Sequence, residues 1–100
     1  VGRVLNRVSD EEADRMVAAA LARLEAAARL GSGRTTVFRV TTRLVLRLNG
    51  YGGASARARR KLAEAIERAV GDGRYEVVDT VRKAARNGSR VRRVWLVRAG

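Results

Sequence analysis

The chain has 100 residues, 46% hydrophobic and 32% charged, with no cysteine, histidine or proline and a formal net charge of +12. That length allows one domain around a single two-layer core, and the missing Cys and His remove disulfides, thiolate metal sites, the commonest general base and the commonest transition-metal ligand. Residues 1–30 hold five arginines and five acids, whereas residues 31–100 hold seventeen Lys or Arg against five acids, a field that attracts polyanions, nucleic acid foremost.

Val4 to Val8 reads as a short first strand. Ser9 followed by Glu12 is a capping-box pattern, and Asp10, Glu11, Glu12 and Asp14 put negative charge on the positive end of a helix dipole. Ala13, Met16, Val17, Ala20, Leu21, Leu24 and Ala28 recur at helical spacing, and Gly31-Ser32-Gly33 ends that helix. From 36 to 48 the even positions are Phe38, Val40, Thr42, Leu44, Leu46 and Leu48, and the odd ones include Arg39, Arg43 and Arg47. This alternation predicts a second strand with one buried face and one open basic face.

Asn49-Gly50-Tyr51-Gly52-Gly53 breaks that strand. A second helix is expected from about Ala54 to Val70, with Ala58, Leu62, Ala65, Ile66 and Ala69 inward, ended by Gly71-Asp72-Gly73. Tyr75 to Ala84 and Val91 to Arg98 read as strands joined at Asn87-Gly88, with a bulge expected near Asp79 or Arg92-Arg93. The order is β-α-β-α-β-β. With right-handed crossovers it predicts a two-layer α+β domain, a four-stranded mixed sheet with both helices on one face. No apolar run approaches the ~20 residues of a membrane span. No secretory pattern is present, so an intracellular protein without membrane contact is expected.

Three clusters suggest contact with a polyanion. Asn49, Gly50, Tyr51, Gly52, Gly53 and Ser55 lie between a strand and a helix, where glycines let the backbone approach a phosphate and helix N–H groups point at it. Arg57, Arg59, Arg60 and Lys61 crowd the next turns, although the spacing is neither a Walker loop nor a dinucleotide fingerprint. The hairpin carries Arg82, Lys83, Arg86, Asn87, Arg90, Arg92 and Arg93, and an arm along a backbone is the favoured reading over a charged edge hairpin kept soluble. The row Arg39, Arg43, Arg47 reads either as a contact surface or as solvation. Tyr51 is the best candidate to stack on a base. The serines have no histidine to activate them and the acids do not converge, so no enzyme activity, cofactor, metal or small-molecule substrate is expected.

The run Leu44-Val45-Leu46-Arg47-Leu48-Asn49-Gly50-Tyr51-Gly52-Gly53-Ala54-Ser55-Ala56-Arg57-Ala58, with Tyr75–Val81 and Arg90–Arg98, resembles the Alba family of small basic chromatin and RNA-binding proteins. It is similar in feel to the Alba-like subunits of ribonuclease P and MRP. The resemblance implies RNA in preference to DNA, a homodimer or heterodimer, and contacts from Asn49–Ser55 with Arg57 and from Arg82–Arg93. The family's third contact, a basic loop after the first strand, is replaced here by Ser9-Asp10-Glu11-Glu12. The same element order occurs in the C-terminal domain of a bacterial translation initiation factor, also an RNA binder. Two other readings stand beside it: a structural subunit of a large ribonucleoprotein such as a ribosome, held mainly by protein contacts, and a partner-binding or designed domain for an acidic protein surface.

Overall fold

The computed structural model describes residues 3–32, 37–71, 73–84 and 91–99. In chain order the elements are β1 (Arg3–Leu5), α1 (Asp10–Ser32), β2 (Val37–Val40), α2 (Thr42–Leu48), β3 (Tyr51–Ala54), α3 (Ala56–Val70), β4 (Tyr75–Ala84) and β5 (Val91–Ala99). This is a small α+β domain. Among the described residues no helix is long and apolar enough to cross a membrane.

The helix starts follow their caps. Ser9 Oγ accepts from the Glu12 N–H at 3.1 Å and opens α1 above a first turn of Asp10, Glu11 and Glu12. Ser55 Oγ accepts from the Ala58 N–H at 3.2 Å and opens α3 two residues later than Ala54. Both are hydroxyl caps satisfying N–H groups that have no partner inside the helix.

The long second strand expected over 36–48 is not formed. β2 stops at Val40, and residues 42–48 are a helix instead. Thr41 is the turning point: its backbone is extended, and Oγ1 accepts from the Leu44 N–H at 3.1 Å as an N-cap. The reason lies in Val45. As a strand, this segment would strand Val45 on the wet face between Arg43 and Arg47. As a helix it buries Val45 completely, with Leu46 beside it and Leu44 and Leu48 half-buried. Arg43 and Arg47, four residues apart, remain together on the exposed side.

The strand expectation therefore fails for the arginine row as well. Arg39 is on β2 while Arg43 and Arg47 are on α2, so the three share no sheet face. The glycine segment is not a bare loop either. Gly50, at φ +85, makes the turn that only glycine adopts without strain. β3 then pairs in parallel with β1, in the register Arg3↔Tyr51, Val4↔Gly53 and Leu5↔Ala54.

The four-stranded sheet is replaced by two smaller ones. β1 and β3 form a parallel pair; β2, β5 and β4 form an antiparallel sheet in that order. β1 thus pairs with the glycine strand β3 and not with β2, which lies at the edge of the other sheet. The bulge expected near Asp79 is present as a register shift between Val77 and Asp79. The Arg92-Arg93 stretch runs in unbroken register, Arg93 opposite Arg82 and Arg92 opposite Lys83.

One core joins the layers. α1 supplies Ala13, Val17, Ala20 and Leu21; α3 supplies Ala58, Leu62, Ala65, Ile66 and Val70; the sheet adds the paired residues Phe38 with Val97 and Val40 with Trp95. Alanines on both α1 and α3 let the two helices approach closely, and Leu62 of α3 is fully buried in the shared core. Leu62→Ala is expected to lower stability by about 2–5 kcal/mol, because a closed interior relaxes only partly around a lost side chain. Urea unfolding monitored by circular dichroism measures it; a loss under about 1 kcal/mol would mean that this centre is loosely packed.

Candidate nucleic-acid interface

Two exposed ion pairs join the inner side of α3 to the start of α1. Lys61 Nζ meets Asp10 Oδ1 at 3.0 Å, and Arg68 grips Asp14 Oδ1 through Nη2 at 2.8 Å and Nε at 3.2 Å. Both acids belong to the first turns of α1, so two α3 cations face inward along α1. The hydrogen bond from Lys61, and then its charge, holds the Asp10 carboxyl below the ordinary carboxylate value. Donating its own hydrogen bonds to Asp14 raises Arg68 above its usual value.

The opposite side of α3 faces an open groove of about 1130 Å³, bounded by α2, β3, α3 and β5. Its arginines come from three elements: Arg43 and Arg47 from α2, Arg59 and Arg60 from α3, and Arg93 from β5. Gly52, Gly53 and half-buried Tyr51 form one border, and Trp95, 3% exposed, lies at the base. Arg93 stacks its guanidinium over the Trp95 ring at 5.6 Å and pairs with Glu67. Arg59 donates through Nε to the Ala54 carbonyl at 3.2 Å, which sets it at the lip where β3 passes into α3. Glu64 and Glu67 are the two acids on this surface.

The residues expected to bind divide sharply. Tyr51, Gly52, Gly53, Arg60 and Arg93 line the groove. Asn49 does not: its Nδ2 donates to the Val45 carbonyl at 2.8 Å and the Met16 carbonyl at 3.1 Å, joining α2 to α1. Ser55 is likewise spent, capping α3 while its hydroxyl donates to the Asn6 carbonyl at 2.8 Å. Gly50 makes the turn, and Lys61 is held by Asp10. Arg57 is exposed on α3 beyond the groove lining. Arg82 and Lys83 on β4 and Arg92 on β5 are placed by the strand register alone, and Arg86, Asn87 and Arg90 lie outside the described residues.

Arg43 and Arg47 of the expected arginine row and Arg59 of the basic helix turns also line the groove, and Glu64 and Glu67 complete it without having been expected as contacts. The first two are displaced by the helix at 42–48; Thr41-Thr42 as a cap and the ill-placed Val45 were the signals for it.

The groove suits an extended polyanion better than a small molecule. Its cations are spread over separate walls, and the aromatic at its base is covered. No family model, curated protein or solved structure matches the chain.

Lys61→Met tests the division. For a carboxyl depressed in the folded state, the stabilisation is complete above the ordinary carboxylate value and is lost as pH falls through the depressed one. The stability gap between wild type and Lys61→Met is therefore expected to close on acidification below that range, in urea melts across pH 2–7. Retention on heparin should fall less for Lys61→Met than for Arg60→Ala; the reverse order would put Lys61 in the interface.

Proposed function

We propose that this domain is a non-catalytic nucleic-acid-binding module that seats the sugar–phosphate backbone of a duplex in the arginine groove, with α3 presented to the major groove. The observation that carries the reading is the convergence of five arginines, from α2, α3 and β5, on one open groove along α3.

The arrangement α2, connection, α3 follows helix-turn-helix order, and the antiparallel pair β4 and β5 comes after α3. The connection, residues 49–55, is longer than the usual short turn and contains β3. In such units the second helix enters the groove while flanking elements hold the backbone. Here Arg43 and Arg47 supply that grip on one flank, Arg59 and Arg60 lie beside them, and Arg93, paired with Glu67, borders the other flank.

Two features favour duplex DNA over the RNA that the Alba resemblance implies. A helix roughly 10–12 Å across fits the major groove of B-DNA, about 12 Å wide, whereas the A-form RNA major groove is too narrow for side-chain reading. Single-stranded RNA readers stack bases on several exposed aromatic rings, but Trp95 and Phe38 are buried here and Tyr75 packs edge-on against Phe38, which leaves half-buried Tyr51 as the one ring on the groove border. The two separate sheets also differ from the four-stranded sheet of that resemblance, which leaves the Alba relation, and the dimer that comes with it, as a sequence-based proposal.

Fluorescence anisotropy with a 20-mer DNA duplex, RNA duplex and single-stranded RNA across a salt series tests the reading. DNA duplex is expected to bind tightest, with a log–log slope of about −4 for some four to five neutralised phosphates. The double variant Arg43→Ala, Arg47→Ala should flatten that slope by about 2. Preferred binding of single-stranded RNA, or a slope untouched by the double variant, contradicts the proposal.

A further inference from the structure

The outward face of α3 is not uniformly basic. Successive helix positions turn by 100°. Opposite the buried stripe of Ala58, Leu62, Ala65 and Ile66, this puts Arg60, Glu64 and Glu67 at the crest, with Arg57 beside them. The arginines of α2 and β5 flank the crest. A surface built only to hold phosphates gains nothing from carboxylates at its centre, since each repels the ligand at short range.

Glu67 is accounted for by its pair with Arg93, which ties α3 to β5. Glu64 is not. Its side chain is exposed on the groove, and among the described residues it takes part in none of the ion pairs or side-chain hydrogen bonds. Arg68, one turn further on, is gripped by Asp14 and feels the Glu64 charge only as the smallest of several influences. Arg60, one turn back, points along the same face.

Resting on the duplex-DNA reading above, we infer that Glu64 and Arg60 are specificity-determining residues: Glu64 accepts a hydrogen bond from the N4 amino group of a cytosine, and Arg60 donates to O6 and N7 of a nearby guanine. Among base edges in the major groove, only the cytosine and adenine amino groups offer a carboxylate a donor, and cytosine is its usual partner. Arginine is matched to guanine by its paired donors. Four residues apart on one helix face, the two side chains reach neighbouring base pairs. The module then reads a short G·C-containing site, with the flanking arginines providing affinity that carries no sequence information.

Selection from a duplex library with a randomised core, followed by affinity measurements on the recovered sites, tests this. Wild type is expected to recover one short motif with a cytosine whose exchange weakens binding by about 5- to 150-fold. Glu64→Gln should move the preference at that position to adenine, because a glutamine amide pairs with adenine N6 and N7. Glu64→Ala should erase the preference there and leave the rest of the motif and the melting temperature in place. The inference is overturned if wild type binds duplexes without recovering a motif, or if both variants recover the unchanged motif. It is equally overturned if both variants tighten binding to every duplex alike, which would make Glu64 merely repulsive. Failure to bind any nucleic acid would instead remove the functional reading beneath it, and this inference with it.

Discussion

At residue 41 the chain leaves a sheet and enters a helix, and the rest of the groove depends on that change of direction. The Thr41 hydroxyl satisfies the Leu44 N–H, the first residues of α2 follow, and Val45 turns from a wet strand face into the interior. A buried valine is worth roughly 1.5–3 kcal/mol, and a hydroxyl cap adds about 1. Together they outweigh the modest strand preference of a segment whose remaining residues, Leu and Arg, are good helix formers. Had β2 continued, Arg43 and Arg47 would stand on a sheet face, away from α3.

The charges follow from the same framework. α1 begins with acids because the helix dipole favours them there, and those acids take Lys61 and Arg68 from the inner side of α3. What remains toward the groove is Arg59 and Arg60 between the arginines of α2 and β5. The near-neutral first thirty residues and the strongly basic remainder thus act together: the neutral half orients the basic half. These pairs are exposed and individually weak; they choose an orientation, and the shared core holds it.

Much of the fold was legible. Ser9 and Ser55 marked helix starts through their caps, Gly50 marked a turn by its need for positive φ, and the irregular alternation near Asp79 marked a bulge. Residues 42–48 were not, because over seven residues the periods 2 and 3.6 both place Leu44 and Leu48 on one side, and only the central pair Val45 and Leu46 separates them. At the site, Tyr51, Gly52, Gly53, Arg60 and Arg93 were recognisable from charge and glycine content. Asn49, Ser55 and Lys61 have the chemistry of ligand-binding residues but spend it internally, on carbonyls of Met16, Val45 and Asn6 and on Asp10. Tertiary contacts decide such cases, and spacing along the chain does not contain them. Glu64 and Glu67 drew no notice as contacts for a related reason: carboxylates among arginines look like solvated pairs until the helix face they occupy is known.

The central claim is that a duplex lies along α3 in the arginine groove, and the most direct measurement is a map of amide chemical-shift changes as a short DNA duplex is added. The account predicts changes concentrated at Arg43–Arg47, Gly52–Gly53, Arg57–Glu64 and Arg93. The exposed face of α1 around Ala22 and Ala26 and the outward side of β2 at Arg39 should remain still. Changes centred on Arg39 and Arg98 of the sheet, with α3 silent, would contradict it and move the interface to the opposite side of the molecule.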